Sequence, residues 1–317
     1  MKFAIVVFFV LLTFSMAQAK SRYGADYFPN VPLTTQDGKV VHFYDDLLKG
    51  KIVAIDLIYT HCVDSCPLET ARLAQVQKTL GDRVGKDIFF YSITIDPKRD
   101  TPEVLKAYAE KFHAGPGWLF LTGKKEDIDL ISKKLGLYSD PDPTNRDGHT
   151  PSLLLGNEPE GQWMPNSALD NPQFLAVMIG NFMDNWRHAN GSAQAAAAPA
   201  PAPISAPKLR LDAGRYLFVT RCAACHTIGR GVRIGPDLQG ITRVRDHDWL
   251  VRFIEKPDQM LADKDSLATE LFKKYNGVQM PNLRLGADEV DHLLQFLDAQ
   301  SASGDHPGEA AATSAQP

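Results

Sequence analysis

The sequence predicts two domains, an α/β unit followed by a smaller unit whose readable elements are helices. Three observations predict this. Apolar runs alternate with helix signals across roughly 51–186. Residues 189–207, ANGSAQAAAAPAPAPISAP, carry no charge and repeat Ala-Pro, the composition of an extended spacer. Beyond them come only helix signals, at Asp212–Thr220 and at Ala287–Ala299, where Val290, Leu293, Leu294 and Leu297 fall at helical spacing.

Taken in order, Lys51–Tyr59 (KIVAIDLIY) reads as a buried strand. A helix is expected to start beside Cys66-Pro67, since proline suits a first turn. Asp87–Ile95 is a second buried strand. Thr101-Pro102-Glu103 combines a capping hydroxyl, proline and an early acid. Leu105, Tyr108, Ala109 and Phe112 then form an apolar stripe. Trp118–Thr122 and Ser152–Leu155 are short strands, and Gln173–Trp186 is the last helix of this unit. In the second unit, Gly286 with Glu289 makes a weak capping arrangement ahead of the final helix.

Length and composition leave function to the sites. The 317 residues suit two domains, and 44% hydrophobic with 23% charged residues is ordinary globular composition. A net charge of -4 gives no basic face for nucleic acid. Lys2, the apolar run Phe3–Met16 and Ala17-Gln18-Ala19 form an export signal, with cleavage expected after Ala19. The apolar run is too short to span a bilayer, and no other stretch is long enough, so no membrane span is expected in the mature chain. The expected layout is signal 1–19, first domain 20–188, linker 189–207, second domain 208–300 and a disordered tail 301–317.

Four cysteines fall in two tight pairs, Cys62/Cys66 and Cys222/Cys225. A bridge closing so short a loop restrains little chain entropy, so both pairs read as chemistry rather than staples. Cys62 and Cys66 follow a strand, at the carboxyl edge where open α/β sheets keep their sites. If the turn is helical, they stand at i and i+4 on one face and can grip one soft ion. The positive helix end favours thiolate, and soft sulfur selects Cu(I), with an added imidazole completing three-coordination.

The segment Tyr59-Thr60-His61-Cys62-Val63-Asp64-Ser65-Cys66-Pro67 resembles the Sco/SenC family of copper-binding, thioredoxin-like proteins. Ser92-Ile93-Thr94-Ile95-Asp96-Pro97 with Asp100-Thr101-Pro102 resembles that family's next landmark. His149 in Asp147-Gly148-His149-Thr150-Pro151 occupies the place of its third copper ligand. The resemblance spans about Asn30–Arg187. It implies a thioredoxin-like fold, one copper, as Cu(I) or Cu(II), on Cys62, Cys66 and His149, and a role in maturing the copper centre of cytochrome oxidase. His61 is read as non-ligating and Asp96 as structural, with an auxiliary ligand role as its alternative. Val63, Gly148 and Thr150 depart from the family pattern, and Thr150-Pro151 resembles the loop facing the thiols in thiol-disulfide reductases.

Cys222-Ala223-Ala224-Cys225-His226 is a Cys-x-x-Cys-His motif. Its thiols, one helical turn apart, add to haem vinyl groups, and its histidine reaches the iron. Ile234-Gly235-Pro236-Asp237-Leu238 and Met280-Pro281-Asn282-Leu283 resemble the histidine-orienting loop and sixth-ligand segment of class I cytochromes c, across about Leu211–Leu297. That resemblance implies an all-helical domain, one covalent haem c on Cys222 and Cys225, and His226 and Met280 as axial ligands. Met260 is the rival, but no proline follows it.

These readings converge on a periplasmic assembly factor for an oxidase copper centre, with a haem for one-electron transfer. The expected partner is the copper-containing subunit of cytochrome oxidase or another periplasmic redox protein. Two alternatives stand. One is a thiol-disulfide oxidoreductase using Cys62 and Cys66 and coupled to the haem. The other is an electron carrier whose first domain only docks. The linker is expected to leave the domains in transient contact.

Overall fold

The computed structural model describes residues 23–137, 151–183 and 212–303. The expected export signal, His149, the linker 189–207, the end of the Gln173–Trp186 helix and nearly all of the tail lie outside the described residues.

The first domain is built on one mixed sheet. Its strands are β1 (Pro32–Thr35), β2 (Val40–His42), β3 (Ile52–Ile58), β4 (Ile88–Thr94), β5 (Trp118–Thr122), β6 (Ser152–Asn157) and β7 (Gln162–Ser167), in the order β2-β1-β5-β4-β3-β6-β7. β3, β4 and β5 are parallel neighbours, with Ile52 opposite Ile88 and Ile58 opposite Thr94. β6 runs antiparallel to β3, and β1 antiparallel to β5. The central strand β3 is buried at every position, which is why it reads as an apolar run broken only by Asp56.

Side-chain alternation splits the core in two. Ile52, Ala54 and Ile58 join Phe90, Trp118 and Phe120 beneath α1 (Cys66–Leu80) and α2 (Pro102–Lys111). Val53, Ile55 and Leu57 join Tyr91, Ile93 and Leu121 beneath α3 (Lys125–Leu135). α2 starts as its sequence dictates, with the Thr101 hydroxyl accepting from the Val104 amide and Pro102 in the first turn. α4 (Pro172–Val177) continues as a wider π-turn from Met178 to Phe182.

Among the described residues the second domain is helical apart from loops and one isolated bridge between Thr227 and Asp237. Helix Ala213–Leu217 runs on as a π-turn to Cys222 and packs on the final helix Ala287–Ser303. Gly214 makes this crossing: a Cβ there would lie 2.1 Å from the His292 carbonyl oxygen. Leu217, Phe218, Val290, Leu293, Leu294 and Leu297 form the core between them. The Gly286 amide donates to the Glu289 carboxylate, as the capping pattern predicts. The last helix continues past the expected boundary at Gln300. There the Ser301 hydroxyl donates to the Leu297 carbonyl and accepts from the Gly240 amide at 2.7 Å.

The two domains are in contact, contrary to the loose arrangement expected from the linker's composition. Ala224 and Ile234 of the helical domain are buried in the same apolar cluster as Leu68, Ala71 and Phe112 of the first. The linker's composition left these apolar faces out of account.

Candidate functional site

Cys62 stands in an irregular turn after β3, and α1 begins at Cys66 with Ser65 as its flanking residue and Pro67 in its first turn. Residues 63–65 are bends rather than helix, so the two cysteines do not share a helical face. They meet because the loop folds over the helix start. The Cys62 amide donates to the Tyr59 carbonyl, and the two thiols hydrogen-bond each other. Both are buried.

Their proton affinities diverge. The hydrogen bond from Cys66 pulls the Cys62 thiol down to about 7, against burial and with help from the Cys66 and Asp64 amides. Burial pushes the Cys66 thiol well above its ordinary value, and the neighbouring Cys62 adds to this. The pair therefore ionises first at Cys62 and keeps its proton on Cys66.

Buried polar groups support the loop from below. Asp100 is buried, accepts from the Thr60 hydroxyl at 2.6 Å and the Thr60 amide at 3.1 Å, and also accepts from the Thr94 hydroxyl. It thus ties the turn carrying Cys62 to the end of β4. Asp56, on the α1 side of β3, accepts from the Ser92 hydroxyl, which accepts from the Trp118 indole. Burial pushes the Asp56 carboxyl up to about 7. Glu69, on α1, is also buried, and its carboxyl is raised by that burial. His61 lies beside Asp96, with 3.5 Å between Nε2 and Oδ2. Among the described residues no three His, Cys, Asp or Glu side chains are grouped to hold a metal ion. Among those residues Cys62 and Cys66 bring two sulfurs together.

In the second domain Cys222 ends the first helix, and the Cys225 and His226 amides both donate to its carbonyl. His226 Nδ1 lies 2.9 Å from the Pro236 carbonyl oxygen, leaving Nε2 for another partner. A Cβ on Gly235 would come within 2.6 Å of the imidazole, so only glycine lets this loop lie against the ring. His226 and Met280 line one apolar cavity with Phe253, Leu271 and Phe272. Met260 is buried in its own short helix and is not part of that lining. Burial pushes both thiols, Cys222 and Cys225, up to about 12, and it lowers His226. Two adjacent free thiols, an imidazole fixed at one nitrogen and a facing thioether across apolar walls fit a covalently attached haem.

The SCO1/SenC family pattern matches residues 18–164, and the Cytochrome c family pattern matches 211–301. An SCO2-like protein of Rickettsia felis is 32% identical over 157 residues, 47% of this chain and 74% of that protein. The chain belongs to the SCO1/SenC family. The mitochondrial SCO2 protein of Saccharomyces cerevisiae is 38% identical over 106 residues, 33% of this chain and 34% of its own length. Among solved structures, copper-bound ScoI of Bradyrhizobium japonicum is 30% identical, with a TM-score of 0.40 over 47% of this chain and 94% of that one. A cytochrome c domain from Pseudomonas putida is 49% identical, with a TM-score of 0.27 over 28% of this chain and 89% of that domain.

The Sco domain and the cytochrome c domain meet beside the dithiol. The Asn282 amide, two residues beyond Met280, donates to the Val63 carbonyl at 2.8 Å. Arg284 lies 3.5 Å from Asp64. Pro67, next to Cys66, lines the cavity of His226 and Met280. From α1, Gln75 donates to the carbonyls of Ala223 and Ala224, inside the Cys-x-x-Cys-His turn. The structure thus brings Cys62 with Cys66, and His226 with Met280, and sets the two groups side by side. Sequence reasoning did not foresee Asp100 or Asn282 as supports. Asp100 had a signal in its landmark segment, and Asn282 stood in the Met280-Pro281-Asn282-Leu283 segment with no signal of a contact to the other domain.

Proposed function

We propose that the Sco domain binds one copper through Cys62, Cys66 and His149, and that the cytochrome c domain carries one haem on Cys222 and Cys225. His226 and Met280 are the axial residues. The protein is exported through 1–19 to the periplasm, and its domains are 20–188 and 208–300. It serves the maturation of an oxidase copper centre, handing over copper or electrons to the copper-containing subunit or to another periplasmic redox protein.

The observation that carries this reading is the buried Cys62/Cys66 pair, with Cys62 drawn down to about 7 at a helix start. Such a pair offers a thiolate to a soft ion without first paying for both deprotonations. When bound, copper and haem each supply one-electron chemistry. The chain's own residues hold the ions, shield the sulfurs and fix the imidazole. Copper titration of the purified holoprotein tests the reading. About one Cu(I) per chain is expected, none in a Cys62→Ser/Cys66→Ser variant, and weaker binding in His149→Ala. Equal affinity in wild type and the double variant removes it.

A second reading draws on the unequal thiols. One low and one high proton affinity is the division between an attacking and a resolving cysteine in thiol-disulfide exchange. Turnover of a disulfide substrate by copper-free protein would favour this reading.

A further inference from the structure

We infer that Asn282 is a positioning residue that joins the two redox sites, so that the oxidation state of Cys62 and Cys66 is felt at the segment carrying Met280. This rests on the reading of Met280 as a haem ligand.

Asn282 is held to its own domain on both sides. Its side-chain Nδ2 donates to Asp258 at 2.8 Å, and its Oδ1 accepts from the Arg284 amide at 3.0 Å. Its backbone amide then reaches across to Val63, whose neighbour is Cys62. A chain of covalent and hydrogen bonds therefore runs from Cys62 through Val63 and Asn282 to Met280.

The movable part of this chain is the loop. The thiols now touch through a hydrogen bond, and a disulfide would draw the sulfurs to about 2.05 Å. Cys66 is wholly buried in the first turn of a 15-residue helix, so it is poorly placed to move. Cys62 to Ser65 lie outside any helix or strand and must take up the displacement. Val63 is among them, and its carbonyl either draws Asn282 along or releases it. Both results alter the restraint on Met280. Coupling of this kind is reciprocal, so the haem-ligand segment also biases disulfide formation.

The experiment uses the full-length holoprotein without copper. Diamide oxidises the pair: the two thiols give up two protons and two electrons, forming the S–S bond and reducing the diamide to its hydrazine. A phosphine with water reverses this, yielding two thiols and phosphine oxide. Mass spectrometry confirms each state. The haem midpoint potential and the methionine-to-iron charge-transfer band are then recorded.

The expected result is a change of about fivefold or more in the haem redox equilibrium between dithiol and disulfide. No change is expected in Cys62→Ser/Cys66→Ser, which controls for oxidation elsewhere. Asn282→Pro, which removes the amide donor, should abolish the response, while Asn282→Ala, which keeps it, should retain it. An unchanged potential and band in wild type overturns the coupling. A full response in Asn282→Pro overturns the role of Asn282. If Asn282→Pro takes up no haem, the wild type against the cysteine variant still decides the coupling. Met280→Ala tests the underlying reading separately: a band that survives this change removes Met280 as ligand.

Discussion

The chain holds two cysteine pairs beside helix ends, and only the first contains a thiol that ionises readily. Cys66 opens α1 and is pushed well above its ordinary value by burial, while its hydrogen bond draws the neighbouring Cys62 down to about 7. Cys222 closes its helix, where the dipole is reversed, and burial holds both Cys222 and Cys225 at about 12. Cysteine thus ionises readily in one place and stays protonated in the other. The hydrogen bonds to Cys62 and the burial of Cys222 and Cys225 make the difference, not the spacing alone.

The largest effect expected on this contrast comes from the second pair. Cys222→Ala or Cys225→Ala should abolish two-point attachment, so that haem staining after denaturing electrophoresis falls sharply or disappears. Full retention in both variants would remove the covalent reading.

Asp100→Ala should come next. It strips two hydrogen bonds from the turn that carries Cys62 and one from the end of β4, and is expected to cost about 2–4 kcal/mol in urea unfolding. Second-domain spectra should stay unchanged at moderate urea if the effect is local to the Sco domain.

The contrast in thiol reactivity can be read directly. In copper-free protein, alkylation of Cys62 should rise with pH and reach half its maximum near pH 7. An ordinary thiol has its midpoint near 8.5, so at pH 7 the Cys62 thiolate fraction should be larger by on the order of tenfold. Cys66 should lag behind it throughout. Equal rates for Cys62 and Cys66 would break the comparison at its centre.

The smallest effect concerns Asp56. Its carboxyl is raised in the fold, so its contribution to stability is fully present below its unfolded value and is lost as pH rises through about 7. Asp56→Asn keeps an acceptor for Ser92 while removing the charge. It should stabilise the protein at pH 8 by on the order of 1–2 kcal/mol and flatten the pH dependence of stability between the unfolded carboxyl value and about pH 7. A variant with unchanged pH dependence would show that the Asp56 carboxyl is not raised in the fold.

Some elements were legible and others were not, for physical reasons. β3, β4 and β5 are buried on both faces, so Ile52–Ile58, Ile88–Thr94 and Trp118–Thr122 stand out as apolar runs. The edge strands β2 and β7, and β1 beside β2, are short or half-exposed and carry no such signal. α3 did carry one, since Ile128, Ile131 and Leu135 form a buried stripe, but it went unread. The short helices at His247–Glu255, Pro257–Ala262 and Ser266–Lys274 escaped because each is only two or three turns long. Both cysteine pairs were visible as spacings. The face-sharing expected of Cys62 and Cys66 was not met, because α1 starts only at Cys66.

The sequence by itself determined the chemistry each segment can carry. Two thiols ahead of a histidine and two thiols after a buried strand are local patterns, set by neighbours along the chain. Only the tertiary structure decided which thiol ionises, because burial and helix-end amides come from packing. It alone also placed Asn282 against Val63 and Pro67 in the wall of the Met280 cavity. Contacts between residues so far apart in sequence depend on how two folded surfaces fit, and no local period in the chain encodes that fit.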